Sequence, residues 1–448
     1  RVVNLSAVMI RLPAWFVPAL VAWATAASAQ TGTPLTLSDA IARAKATHPD
    51  AAAAAATERA AVRTATEARA GYLPTVDLIE SWQRGNQPVF VFSSLLAQRQ
   101  FTAANFAIDA LNHPDAVNNF RTGITVDQPI YSGALRAATK SASVGVKLAA
   151  AQRQQVGQQL AAAVTDAYGR VLVAEGSRKA ADAAMEAAQA DRTLATNRRD
   201  AGAATESDVL QVELLVARAE QQRIQADADL RIARATLAAL VGVPLDEPFT
   251  LAPAVASAAP ATDLAALQAE ALTQRPDVMS ARLQVELAGA RIGQARSAFL
   301  PQVGVQGGWE GNGDAWTSRS SSWIVGASAR INLFRGRADQ ARLGAANDAL
   351  VARTQELART ETQARVDVIT ATARLDAARA SARVARAALA QARESHRIVR
   401  DRYEAGLADV AALLRAADGV AQAETQVSAA DAAVVTSGAA LEQALGRL

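Results

Sequence analysis

The sequence predicts a mainly α-helical chain that carries two short pairs of membrane-spanning β-strands and is built as two copies of one unit. Three observations carry that prediction. Proline and tryptophan avoid two very long stretches, glycine and proline recur at fixed offsets, and a few short segments alternate apolar with polar residues.

Composition narrows the class first. Of 448 residues, 112 are Ala and 42 are Arg, against 4 Lys, while aromatics make up only 4%. Such a chain suits long, closely packed helices better than a thick globular core. Cys is absent, which excludes a disulfide scaffold or a thiolate metal site and points away from a lipid-anchored N-terminus. The three His, at 48, 113 and 396, are too dispersed for a metal cluster. A net charge of +3 argues against nucleic acid as a partner. No nucleophile–base pair and no phosphate loop can be picked out, so no catalytic residue, metal or cofactor is expected.

The elements follow in order. Arg1 and Arg11 precede an apolar stretch from Leu12 to Ala24, and Ala27-Ser28-Ala29 offers a small-residue cleavage site, so residues 1–29 are expected to be a secretory signal. No later run of about 20 uncharged apolar residues exists, so no transmembrane helix is expected. Pro is missing from Ile130 to Val243 and from Gln302 onward, and Pro inside a helix costs about 3 kcal/mol. Trp82, Trp309, Trp316 and Trp323 fall just before those helical stretches. At an offset of 227, Pro49-Asp50 falls on Pro276-Asp277 and Gly71-Tyr72-Leu73-Pro74 on Ala298-Phe299-Leu300-Pro301. At about 204, Gly202 matches Gly406 and Gly242 matches Gly446. Internal repetition is therefore expected. The first repeat, 30–242, holds a helix interrupted near Pro49, hairpin strands at 75–92 and 120–131, and helices at 134–200 and 205–241. A linker, 243–262, leads to the second repeat, 263–448, with a helix at 264–299, a hairpin at 302–333 and helices at 337–404 and 408–445.

The long helices carry a heptad seam. Leu375, Ala378, Ala382, Ala385, Leu389, Ala392, His396, Val399 and Tyr403 step by 3 and 4, while Arg379, Arg383, Arg386, Arg393 and Arg400 lie off the seam. The hairpins show the other period. Phe120, Thr122, Ile124 and Val126 alternate with Arg121, Gly123, Thr125 and Asp127; Val303, Val305, Gly307 and Trp309 alternate with Gln302, Gly304, Gln306 and Gly308. Strands of about ten residues with one apolar and one polar face fit an outer-membrane barrel around a wet lumen. Trp82, Phe120, Trp309 and Trp323 are the candidates for its aromatic belt in contact with lipid. Four strands cannot close a barrel, and open edges are forbidden in lipid, so several chains must contribute strands.

The order of these motifs, twice over, resembles the outer-membrane efflux channel family, the TolC-like proteins. The residues that carry the resemblance are Leu37-Ser38-Asp39-Ala40-Ile41 with His48-Pro49-Asp50, Tyr131-Ser132-Gly133, Arg199-Asp200-Ala201-Gly202 leading to Asp208-Val209-Leu210, and Arg402-Tyr403-Glu404-Ala405-Gly406. The resemblance implies a homotrimer whose twelve strands form one barrel, continued by a periplasmic α-helical barrel of long coiled-coil helices. It implies an outer-membrane exit duct of a tripartite efflux pump or type I secretion system, not an enzyme. The implied partners are a periplasmic adaptor and an inner-membrane transporter of the RND, ABC or MFS type.

Two groups of residues are then expected to work. Gly202, Ala203, Ala204, Thr205, Glu206 and Ser207, with Gly406, Leu407, Ala408 and Asp409, form turn tips open to an adaptor. Arg199, Asp208, Arg402, Tyr403 and Arg415 are candidates for a periplasmic gate, although Ala412 and Arg415 stand where such channels often carry acids. An exported structural coiled coil would account for the helices alone. A surface adhesin or receptor would make the 93–119 insertion the working part.

Overall fold

The computed structural model describes residues 34–245, 249–252 and 263–448. The expected signal, 1–29, and residues 246–248 and 253–262 of the linker lie outside them. The first unit runs α1 (Leu37–Thr47), α2 (Pro49–Ala70), β1 (Thr75–Gly85), α3 (Pro88–Ala97), α4 (Ile108–Asn112), β2 (Val117–Ser132), α5 (Gly133–Asp200) and α6 (Glu206–Val241). The second runs α7 (Leu264–Gln274), α8 (Pro276–Ser297), β3 (Gln302–Ala315), β4 (Ser318–Arg330), α9 (Ala338–Glu404) and α10 (Val410–Leu445).

Equivalent elements begin at matching offsets. Leu37 and Pro49 open α1 and α2, Leu264 and Pro276 open α7 and α8, 227 residues later. Pro49 and Pro276 each stand in the first helical turn, where the missing N–H costs nothing. Gly242 and Gly446 close α6 and α10 at φ +73° and +84°. A Cβ at either would strike the neighbouring helix end, Thr47 Oγ1 at 2.6 Å or Gln274 C at 2.8 Å, so a side chain is excluded twice over.

One expectation needs correcting. The apolar run Val89-Phe90-Val91-Phe92, expected to extend the first hairpin strand to 92, is helical: β1 stops at Gly85 and α3 starts at Pro88. Pro88 supplies a φ suited to the first helical turn, and Val91 and Ser94, one helical turn apart, are buried where α3 lies on the sheet. Tertiary packing overrides the β-propensity of the run.

The four strands form one antiparallel sheet in the order β1-β2-β3-β4. The β2–β3 pairing joins the two units, with Ile124 opposite Trp309 and Val126 opposite Gly307. Across the sheet, Leu78, Ile124, Trp309 and Trp323 share one row and one face, and Val325 sits beside them on that face, 65% exposed. The opposite face is polar, with Arg121 donating to Glu310 at 2.9 Å and Asn119 to Asn312 at 3.1 Å. β1 and β4 are left as open edges.

Helices continue the sheet in a single layer. α5 has 68 residues and α9 has 67, about 100 Å each at 1.5 Å per residue. Near the sheet α5 packs against α2 and α8; toward the far end it packs against α6 and α10, and α9 pairs with α8 and then α10. Small residues set the spacing. A Cβ at Gly169 would fall 2.3 Å from Thr436 Cγ2, and one at Gly176 would fall 2.5 Å from Ser428 Cβ. Every residue of the heptad seam on α9 is buried or half-buried, and Arg383, Arg386, Arg393 and Arg400 are exposed. Midway along, α1 caps a cluster of Ile41, Leu160, Val164, Tyr168, Leu237 and Val241, where the Tyr168 hydroxyl donates to the Leu35 and Ala252 carbonyls at 3.2 and 3.0 Å. α7 does the same with Leu267 against Val368, Leu375, Leu441 and Leu445.

Candidate functional site

The two helical hairpins end side by side, far from the sheet. Each first helix closes with a glycine at positive φ, Gly202 at +75° and Gly406 at +76°, a region that side chains rarely adopt. The last carbonyls are taken up in the same way at both tips: Ala203 N–H donates to Arg198 O and Leu407 N–H to Arg402 O, both at 2.8 Å. Each second helix opens on a side-chain cap. Thr205 and Asp208 cap reciprocally, the Thr205 hydroxyl accepting from Asp208 N at 3.2 Å and the Asp208 carboxylate from Thr205 N at 2.8 Å; Asp409 accepts from Ala412 N at 2.7 Å.

Beneath the tips lies a small apolar floor of Ala195, Val209, Val212, Tyr403, Val410 and Leu413. Tyr403 is only 3% exposed, and its hydroxyl has no hydrogen-bond partner among the described residues. Burial pushes its phenol above the ordinary value, with Asp208 and Asp191 acting in the same direction and Arg198 against them. Arg198 joins the two hairpins. Its guanidinium stacks 4.7 Å from the centre of the Tyr403 ring and donates to the carbonyls of Tyr403, Glu404 (2.9 Å) and Ala203 (3.1 Å). One side chain thus holds backbone from both turns.

Sequence reasoning named the neighbour, Arg199, and missed Arg198. Arg199 pairs within its own hairpin, with Asp200 at 2.7 Å and Glu206 at 3.2 Å. Of the other gate candidates, Arg402 is exposed, Asp208 is engaged as a cap, and Arg415 donates to Ala411 O of its own helix at 3.1 Å. Of these gate candidates, Tyr403 is the one packed against residues of both hairpins. The tips themselves are open: Gly202, Ala203, Thr205, Glu206, Ser207, Gly406, Leu407 and Asp409 are exposed, and Ala204 and Ala408 half-buried. A little deeper, Asp191 is fully buried between the hairpins, 3.8 Å from His396 and 3.6 Å from Arg400.

The aromatic candidates lie at two levels. Trp82 and Phe120 are cross-strand partners 6.3 Å apart, and Trp316, which the sequence reading did not include, closes on Phe120 at 6.1 Å. Trp309 and Trp323 face one another four residues nearer the helices. Across the outer row Arg319 reaches over Gly311 to Glu80 at 3.1 Å and to the Thr122 hydroxyl, and it stacks on Trp316 at 4.3 Å. Tyr72, Tyr131, Phe299 and Phe334 mark the helix-proximal end with a second set of exposed rings.

Comparison with known proteins fits this geometry. Residues 40–243 and 267–447 each match the family profile described as Outer membrane efflux protein. The pyoverdine export outer membrane protein OpmQ of Pseudomonas aeruginosa is 27% identical over 351 residues, 75% of this chain and 71% of that protein. Among solved structures, CusC superposes with a TM-score of 0.79 at 18% identity, covering 92% of both chains. VceC of Vibrio cholerae gives 0.77 at 19% identity, over 92% of this chain and 96% of that one. The four strands are one third of a twelve-stranded barrel, and the helical layer is one third of the α-barrel beneath it. The chain belongs to the outer membrane efflux protein family, non-enzymatic trimeric channels of the outer membrane that work with an adaptor and an inner-membrane transporter.

Proposed function

We propose that this outer-membrane exit duct meets its periplasmic adaptor at the paired turn tips, and that the same tips hold the resting channel shut. The observation that carries the reading is Arg198: two helices of about 100 Å bring Gly202 and Gly406 to one place, and a single guanidinium ties the turns together there. An exposed pair of tight turns, rich in small residues, leaves backbone within reach of an inserted helical hairpin. The tie is built from a cation on carbonyls and on one aromatic face. Such contacts contribute about 1.5–3 kcal/mol, a size that a docking partner's own contacts can replace. Tyr403 forms the floor of that tie with Asp208 close enough to act on its phenol, and Arg199, Arg402 and Arg415 stand on the helix ends that meet there. The adaptor in turn couples the duct to an inner-membrane transporter of the RND, ABC or MFS type.

Gly202→Trp and Gly406→Trp test the assignment. A bulky residue forced into a positive-φ turn blocks the tip without touching the barrel. Both variants are expected to yield stable outer-membrane trimers, no efflux, and no crosslink between tip and adaptor. Normal efflux by both variants, or failure of both to reach the outer membrane, would refute docking at the tips.

A further inference from the structure

The segment between β1 and β2 is not a simple hairpin loop. It folds as α3, a 3₁₀ turn at Ala103–Phe106 and α4, and it returns over the end of the sheet farthest from the long helices. Its anchor is Gln98, 4% exposed, whose amide donates to the Asn118 carbonyl at 2.7 Å and to Asn119 Oδ1 at 3.0 Å. Ser320 Oγ donates back to the Gln98 carbonyl at 2.9 Å, and the Arg99 guanidinium donates to Ser321 O at 3.0 Å from a residue at φ +57°. Asn119 shares the face of Arg121, Thr125 and Asp127, the polar face. The segment is therefore fastened over the lumen side of the barrel wall, at its outer mouth.

Its other side is apolar and uncovered. Val89, Phe92 and Leu96 form one stripe of α3, Phe92, Phe101 and Phe106 stack edge to face at 4.9 and 5.0 Å, and Phe92, Phe106 and Ile108 are exposed. Lipid cannot cover this patch, because the sheet stands between them. The wall around it is polar. A twelve-stranded barrel is wider than the eight-stranded size that side chains alone can fill. What remains within reach is the same patch on the other two protomers, brought round the axis by the trimer already described.

We propose that the three 86–116 segments meet on the barrel axis through Val89, Phe92, Phe106 and Ile108 and form an apolar plug that closes the extracellular mouth. The occupant of each exposed patch is a second copy of itself. The plug rests on the channel reading but is separate from the tips: it would govern entry from outside, at the other end of the duct.

The chain has no Cys, so a single Ile108→Cys reports only contacts between protomers. In purified trimers, oxidation or a short bis-maleimide is expected to give dimers with Ile108→Cys and none with Trp323→Cys on the lipid face. In a second measurement, Thr125→Cys in the lumen is labelled from outside intact cells with a maleimide that cannot cross the outer membrane. Adding Phe106→Asp and Ile108→Asp is expected to speed labelling by about tenfold or more, as for a closed state whose open form is populated below about 10%. Trimers that show neither crosslinked dimers of the Ile108→Cys variant nor faster labelling would overturn the plug and leave the channel intact. Absence of trimers would overturn both.

Discussion

The face assignment of the sheet can be tested at Val325. It pairs with Gly307, which pairs with Val126, and Val126 stands six residues from Phe120 in the outer aromatic row and five from Tyr131 at the inner one. At about 3.3 Å per residue and a tilt of about 40°, Val325 lies about 15 Å from one ring and 13 Å from the other, near mid-membrane. An arginine there costs about 2–4 kcal/mol per chain, and three chains share one barrel, so Val325→Arg costs the trimer about 6–12 kcal/mol. Gln306 is one row away on the opposite, lumen face. Gln306→Arg is therefore expected to assemble normally and to shift ion selectivity toward anions. The assay is the yield of heat-modifiable trimer in the outer-membrane fraction, followed by conductance. Equal yields for the two variants would refute the face assignment, and a greater loss with Gln306→Arg would show that the faces are reversed.

Three further outcomes follow from the helices. Gly176→Leu should overpack the α5–α10 contact against Ser428 and cost about 1–3 kcal/mol, read as a lower midpoint in thermal unfolding. Arg198→Ala should leave trimers intact but raise the conductance of the isolated channel, whereas Arg199→Ala, which breaks only exposed pairs within one hairpin, should not. Burial alone would raise the Asp277 carboxyl, but Arg275 at 2.7 Å holds it below the ordinary value; its contribution is complete at neutral pH and is lost as pH falls below about 4. Wild type should thus lose more helical stability than Asp277→Asn on acidification, measured by circular dichroism.

What could be read from the sequence was whatever the backbone alone dictates. Pro49 and Pro276, Gly202 and Gly406, and Gly242 and Gly446 mark helix ends because φ is restricted or positive there, and the structure puts helix ends at all six. The seam from Leu375 to Tyr403 was legible because its period is a property of any long packed helix. Contacts set by tertiary phase were not. Arg198 and Arg199 are adjacent and chemically identical, and only the rotation of α5 decides which one reaches Tyr403. Residues 88–92 carry strand-like composition and are helical because Gln98 and Val91 pin them to a surface the local sequence does not contain. The two levels of aromatic rings depend on the β2–β3 register, a pairing between residues some 190 positions apart.

Three copies of this chain make one continuous duct from the outer face to the turn tips. Electron cryomicroscopy of the particle extracted from outer membranes tests it most directly. The expected image is a threefold particle with twelve strands leading into a helical tube of about 100 Å, its narrow end formed by the turns at Gly202 and Gly406. A particle of any other symmetry, or one whose strands close without those of neighbouring chains, would contradict it.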